Sequence, residues 1–136
     1  MAQEVAKRTG LELRTASNVT REQLNIMYNE ALCLLYPSDY EGFGIPILEA
    51  QKAGCPVIAQ NTSSVPEVIG NGELLVSHDK TVRMADAMAD KVKQLLSQPT
   101  QSIIEKGMQN AKRFSWDKTY AQTKQVYEDI YYNHHL

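Results

Sequence analysis

Glu41-Gly-Phe-Gly-Ile-Pro-Ile-Leu-Glu49 sets two carboxylates on either side of seven residues that include two glycines and a proline. The apolar run Leu32 to Tyr36 before it reads as a buried strand, and Ile45 to Ala53, closed by Gly54, reads as a helix. Strand, glycine turn and helix together suit an anion, because the first-turn N–H groups lack intrahelical partners and the helix dipole is positive at that end. Gly42 and Gly44 remove Cβ atoms where a ligand would approach the main chain, and Pro46 suits a first helical turn. Glu41, at the turn, can accept hydrogen bonds from sugar hydroxyls, and Glu49 can accept two from a ribose diol. The same residues also admit a purely structural reading, since glycines serve tight turns and an early helical glutamate complements the dipole.

Outward from this stretch the chain alternates. A helix from Ala2 to Thr9 ends at Gly10, and Leu11 to Thr15 reads as a strand with Leu11 and Leu13 on one face. Thr20 and Gln23 form a capping box ahead of the stripe Leu24, Met27, Tyr28 and Ala31. After the central helix come a short apolar run at Pro56 to Ala59, a helical turn at Pro66 to Ile69 and a strand at Leu74 to Val76. A helix from Thr81 to Leu96 follows, with Val82, Ala85, Met88, Ala89, Val92 and Leu96 as its buried stripe. This alternation predicts an α/β fold built from parallel βαβ units. Past Pro99 the chain reads as helical, with Ile103, Ile104, Met108 and Ala111 on one face and Ser115 capping a last helix. Trp116, Tyr120, Tyr127, Ile130 and Tyr131 line that helix and are expected to pack on the chain's own sheet, the alternative being a partly exposed face.

The run Tyr36-Pro-Ser-Asp-Tyr-Glu-Gly-Phe-Gly-Ile-Pro-Ile-Leu-Glu-Ala50, continued by Gly54-Cys-Pro-Val-Ile58, resembles the nucleotide-sugar half of retaining GT-B glycosyltransferases of the group-1 clan. Asn61-Thr-Ser-Ser-Val-Pro-Glu-Val68 and Gly72-Glu-Leu-Leu-Val76 resemble that clan's next loop and strand, and Phe114-Ser-Trp116 the start of its closing helix. The resemblance implies a Rossmann-like parallel sheet with flanking helices. It also implies that Glu41 contacts the donor sugar as the catalytic carboxylate, that main-chain N–H groups of Gly42, Phe43, Gly44 and Ile45 meet sugar and phosphate oxygens, and that Glu49 holds the ribose. Val19, in Ala16-Ser-Asn-Val-Thr20, resembles the position whose backbone meets the nucleobase. The donor is then a nucleotide-diphosphate sugar, and a hexose passes to an acceptor through an oxocarbenium-like state with retained configuration.

At 136 residues the chain suits one domain with one core, which the resemblance makes a partial nucleotide-sugar-binding domain. The clan's acceptor-binding half and its basic pair facing the diphosphate have no counterpart in the sequence, and Lys7 and Arg8 read as a solvated helix face. The chain alone is therefore expected to be inactive. The alternative from another class is a truncated, non-catalytic module that contacts a partner chain; an epimerase on the same architecture is a third reading, disfavoured by the Gly-Phe-Gly segment between the acids.

A formal charge of −2 with 43% hydrophobic residues gives no nucleic-acid footprint. No apolar run approaches a membrane span, and a cytoplasmic location is expected. Cys33 and Cys55 read as buried reduced thiols, and His78, His134 and His135 as surface groups. Ser38-Asp-Tyr40 is no D-x-D motif, and the resemblance implies transfer without a divalent ion, so neither a metal nor a cofactor beyond the donor substrate is expected. Ser63 and Ser64 lie in the loop after the Pro56 run, on the ligand side of such a sheet, but capping of the helical turn before Pro66 explains them as well and they are not counted as site residues.

Overall fold

The computed structural model describes residues 1–77 and 81–133; His78, His134 and His135 lie outside the described residues. Strands β1 (Leu34–Tyr36), β2 (Val57–Gln60) and β3 (Leu75–Val76) form a parallel sheet in the order β1-β2-β3. Leu34 lies opposite Val57 and Tyr36 opposite Ala59, while Gln60 lies opposite Val76. Parallel neighbours need a crossover, and here two helical connections supply it. The first is α3 (Ile45–Lys52); the second is α4 (Val65–Ile69) followed by a 3₁₀ turn at Gly72–Leu74.

The sheet is covered on both faces, and side-chain alternation decides which residue goes where. Leu34, Tyr36, Val57, Ala59 and Leu75 face Ile47 and Ala50 of α3, Val65, Val68 and Ile69 of α4, and Tyr28 of α2 (Arg21–Glu30). Leu35, Ile58 and Val76 point the other way, into a core with Val5 of α1 (Ala2–Thr9) and Ala85, Met88, Ala89, Val92 and Leu95 of α5 (Met84–Ser97). All of β2 is buried, as expected of a central parallel strand. Helix α6 (Gln101–Ala111) lies along α3, and α7 (Trp116–Asn133) completes the chain.

Local signals act where they were read. Thr20 Oγ1 accepts from the Gln23 backbone N–H at 3.2 Å while the Gln23 side chain accepts from Thr20 N–H at 2.8 Å, a complete capping box. Gly10 ends α1 in the left-handed region with φ 72°, and Ser115 Oγ accepts from the Lys118 N–H at 3.1 Å to cap α7. Arg8 is exposed as read, and it pairs with Glu4 and Asp86.

Long-range packing overrides several expectations. Leu11 to Thr15 forms no strand; Leu11 is 38% exposed and the segment has no neighbour to ladder with. The strand expected from Leu32 starts at Leu34, where pairing with β2 begins, and the one expected from Leu74 starts at Leu75 because Leu74 closes the 3₁₀ turn. Helix α5 starts at Met84 rather than Thr81, and Val82 and Leu96 of its expected stripe are exposed while Leu95 is buried. In α6 the buried face is Ile103, Gly107 and Asn110, so Met108 turns outward. The largest departure is α7, which buries none of its residues: Trp116 is 79% exposed and Tyr127 73%.

Candidate functional site

The carboxyl ends of β1 and β2 point to one edge of the sheet, and the Glu41–Gly44 turn and the Asn61–Ser64 loop leave from that edge. Helix α2 runs back into β1 through a short connection, which brings its N-terminus, with half-buried Val19 just before the Thr20 cap, to the same side. Open α/β sheets bind ligands in this position. Asn18 takes a left-handed backbone with φ 57°, a conformation asparagine tolerates better than most residues.

Gly44 is the N-cap of α3 with φ 95°, and a Cβ there would lie 3.1 Å from Ile47 Cδ1, so the position needs glycine for both backbone and space. Gly42 and Phe43 are exposed, as is Ile45, and Pro46 occupies the first turn. Among the described residues the backbone N–H groups of Gly42, Phe43, Gly44 and Ile45 have no hydrogen-bond acceptor, leaving a row of donors at the positive end of α3.

Hydrogen bonding from Tyr36, and then from Ser38, holds the Glu41 carboxyl below the usual carboxylate range. The Tyr36 hydroxyl is pushed up in turn, by burial first and by Glu41 second. Glu41 is thus ionised at neutral pH, a fixed acceptor at the mouth of the turn. Glu49 sits half-buried on α3 next to Tyr28, whose hydroxyl is raised to about 12 by burial and then by the Glu49 charge. Cys33 and Cys55 are free; burial raises the first thiol to about 12 and the second to about 11, which suppresses thiolate chemistry.

The loop after β2 holds the turn in a way the sequence reading did not anticipate. Thr62 Oγ1 donates to Asp39 O at 3.0 Å, Ser63 Oγ to Glu41 O at 2.7 Å, and Ser64 Oγ lies 3.0 Å from both Glu41 O and Phe43 O. Ser64 occupies the N-cap position of α4 yet makes no side-chain cap, so its hydroxyl serves the neighbouring turn instead. Gln60 Nε2 adds a bond to Asp39 Oδ1 at 3.2 Å. The available signal was three consecutive hydroxyl residues, Thr62 to Ser64, one residue past a strand that ends at the ligand edge.

Phe43 is fixed from the other side. Its ring meets Phe114 edge-on, with centroids 5.7 Å apart, and the Arg113 guanidinium lies over Phe114 at 5.2 Å. Arg113 Nη1 donates to Asn110 Oδ1 at 2.8 Å, and buried Asn110 Nδ2 donates to Gln51 Oε1 and Val68 O, each at 2.8 Å. Gln51 Nε2 reaches Ile69 O at 2.9 Å, closing a polar network that ties α3, α4 and α6 together. A wide groove beside it is lined by Gly70, Asn71, Lys106, Asn110 and Arg113 and includes no residue of the Glu41–Ile45 turn. Among the described residues no group of three or more His, Cys, Asp or Glu side chains is placed to hold a metal ion. No described helix is long and apolar enough to cross a membrane.

A small parallel sheet with helices on both faces, and a glycine turn opening at its carboxyl edge, defines the class as a Rossmann-like unit. Sucrose-phosphate synthase from Thermosynechococcus elongatus shares this fold, with a TM-score of 0.74 over 96% of this chain and 34% of that one at 22% identity. The sequence profile described as "Glycosyl transferases group 1" matches residues 2–115, and the chain belongs to that family. It is 36% identical over 118 residues to O-antigen chain mannosyltransferase B of Escherichia coli, covering 85% of this chain and 30% of the relative. It is 32% identical over 120 residues to the MMP alpha-(1->4)-mannosyltransferase of Mycolicibacterium hassiacum, covering 85% and 29%. Identity to the D-inositol 3-phosphate glycosyltransferase of Corynebacterium urealyticum is 34% over 113 residues, covering 80% and 26%. The chain thus spans less than a third of the length of these curated relatives.

Proposed function

We propose that the chain is the donor-binding part of a retaining glycosyltransferase that moves a hexose from a nucleotide-diphosphate sugar to an acceptor held by a domain outside this sequence. The observation that carries the reading is a row of four turn amides without acceptors, with the Glu41 carboxylate at its head, at the carboxyl edge of a parallel sheet. In this reading Glu41 faces the sugar and supports charge developing at its reacting carbon, acting as the catalytic carboxylate. The N–H groups of Gly42, Phe43, Gly44 and Ile45 receive sugar and phosphate oxygens, Glu49 accepts from the ribose diol, and the Val19 backbone lies against the base. Two relatives named as mannosyltransferases support a hexose donor. Two free thiols, Cys33 half-buried and Cys55 buried, suit a reducing, cytoplasmic compartment.

Transfer needs an acceptor oxygen held near the sugar and positive charge on the departing diphosphate, and neither group is supplied by the turn itself. The isolated chain therefore binds donor without turning it over. Calorimetry with uridine, guanosine and adenosine diphosphates and their sugars tests this: Glu49→Ala loses about 1–3 kcal/mol of nucleotide affinity, whereas Glu41→Ala weakens only the sugar forms. A Glu49→Ala chain that matches wild type would remove the ribose assignment, and sugar transfer by the isolated chain would remove the claim of inactivity. A second reading, a non-catalytic module that docks on a partner, is favoured by the uncovered aromatic residues of α7. It predicts no nucleotide binding in the same titration.

A further inference from the structure

We propose that Ser63 and Ser64 are positioning residues whose hydroxyls aim the Gly42 and Gly44 N–H groups at the anionic part of the donor. The inference rests on the donor-site reading given above. In a trans peptide unit the carbonyl of one residue and the N–H of the next share a plane and point in opposite directions, and the described residues include no cis bond. Holding Glu41 O therefore sets the direction of Gly42 N–H, and holding Phe43 O sets that of Gly44 N–H. A serine hydroxyl carries a single proton. With Ser63 on Glu41 O at 2.7 Å, the Ser64 proton is left for Phe43 O at 3.0 Å, and the two hydroxyls match the two carbonyls one to one.

The pattern extends one step further back, because Thr62 Oγ1 holds Asp39 O. Consecutive hydroxyls at Thr62, Ser63 and Ser64 thus hold alternate carbonyls at Asp39, Glu41 and Phe43, as the donors of a neighbouring strand would. The turn has need of it. A Cβ placed on Gly42 would meet nothing within 4 Å, so packing does not hold that residue, and glycine has the widest backbone freedom of any. Ser63 reaches its carbonyl from a left-handed backbone, φ 51°, which side-chain-bearing residues rarely adopt and which persists where surrounding contacts enforce it. Ser64 forgoes capping α4 to take part. Both hydroxyls are thus committed to the turn rather than to their own helix.

Nitrogen-15 relaxation of the ligand-free chain reads this grip directly. Amide order parameters of Gly42 and Gly44 stand near about 0.85 in wild type and fall below about 0.6 in Ser63→Ala/Ser64→Ala; Ser64→Thr, which keeps a hydroxyl, stays at the wild-type value. Calorimetry reads its consequence: the double alanine variant binds uridine, guanosine or adenosine diphosphate about tenfold more weakly, while its circular dichroism is unchanged and Ser64→Thr binds like wild type. Order parameters that do not differ between wild type and the double variant overturn the grip. So does equal diphosphate affinity in the two chains. A wild-type chain that binds none of the three diphosphates overturns the donor site itself, and the order parameters still judge the grip on their own.

Discussion

Helices α5 and α7 both repeat apolar residues at helical spacing, yet Ala85, Met88, Ala89, Val92 and Leu95 of α5 are buried while no residue of α7 is. The difference lies in what faces them. Helix α5 meets Ile58 and Val76 on the sheet and Val5 on α1, so each side chain that turns inward leaves water for an apolar partner. Helix α7 keeps its shape through local contacts: the Ser115 cap, the Lys124–Glu128 ion pair and a Gln125 to Asp129 hydrogen bond at 2.8 Å. Helix α6 stands between these cases, for its buried face carries the polar Asn110, held by hydrogen bonds rather than by apolar contact. A stripe in the sequence tells which side of a helix is apolar. It does not tell whether anything covers that side.

Substitutions along the three helices would break or sharpen this contrast. The largest effect is expected at Met88, fully buried in α5: Met88→Ala lowers the unfolding free energy by about 2–5 kcal/mol in urea titration. A loss under about 1 kcal/mol, close to that of a surface site, would show that α5 packs more loosely than its burial says. Next comes Asn110→Ala, which strands Gln51 Oε1 and Val68 O and costs about 1–3 kcal/mol by the same measurement. Its thermal transition should also broaden if the network joins α3, α4 and α6 into one cooperative unit. The smallest effect is expected on α7, where Tyr127→Ala changes stability by no more than about 0.5 kcal/mol. A clear loss there would mean that α7 is covered in solution.

Much of the candidate site could be read from residues adjacent in sequence. Gly44 lies in the left-handed region, Pro46 sits in the first turn of α3, and Glu41 and Glu49 fall at the turn and on the helix as their spacing implied. What escaped were the groups that reach the turn from elsewhere in the chain. Ser63 and Ser64 looked like caps because capping is the commonest local use of serine before a helix, and only the fold brings Glu41 O and Phe43 O within their reach. Phe114 is likewise far from Phe43 in sequence and touches it only because α6 lies along α3. The missing strand at Leu11 has the same cause, for a strand is defined by its neighbour and a helix by itself.

The sequence by itself determined the elements whose hydrogen bonds close within a few residues: α1 to its glycine stop, α2 from its capping box, the central turn and α3, and the α7 cap. It also determined the parallel α/β order, because alternating strands and helices leave few connections open. Tertiary structure alone decided which face of α5 and α6 went inward, where the strands began, that α7 stayed uncovered, and that three hydroxyls after β2 hold the Glu41 turn. Local geometry costs the same wherever a segment lies, so the sequence can specify it. Burial and side-chain partnership depend on surfaces brought together from distant parts of the chain, and their free energy exists only once those surfaces meet.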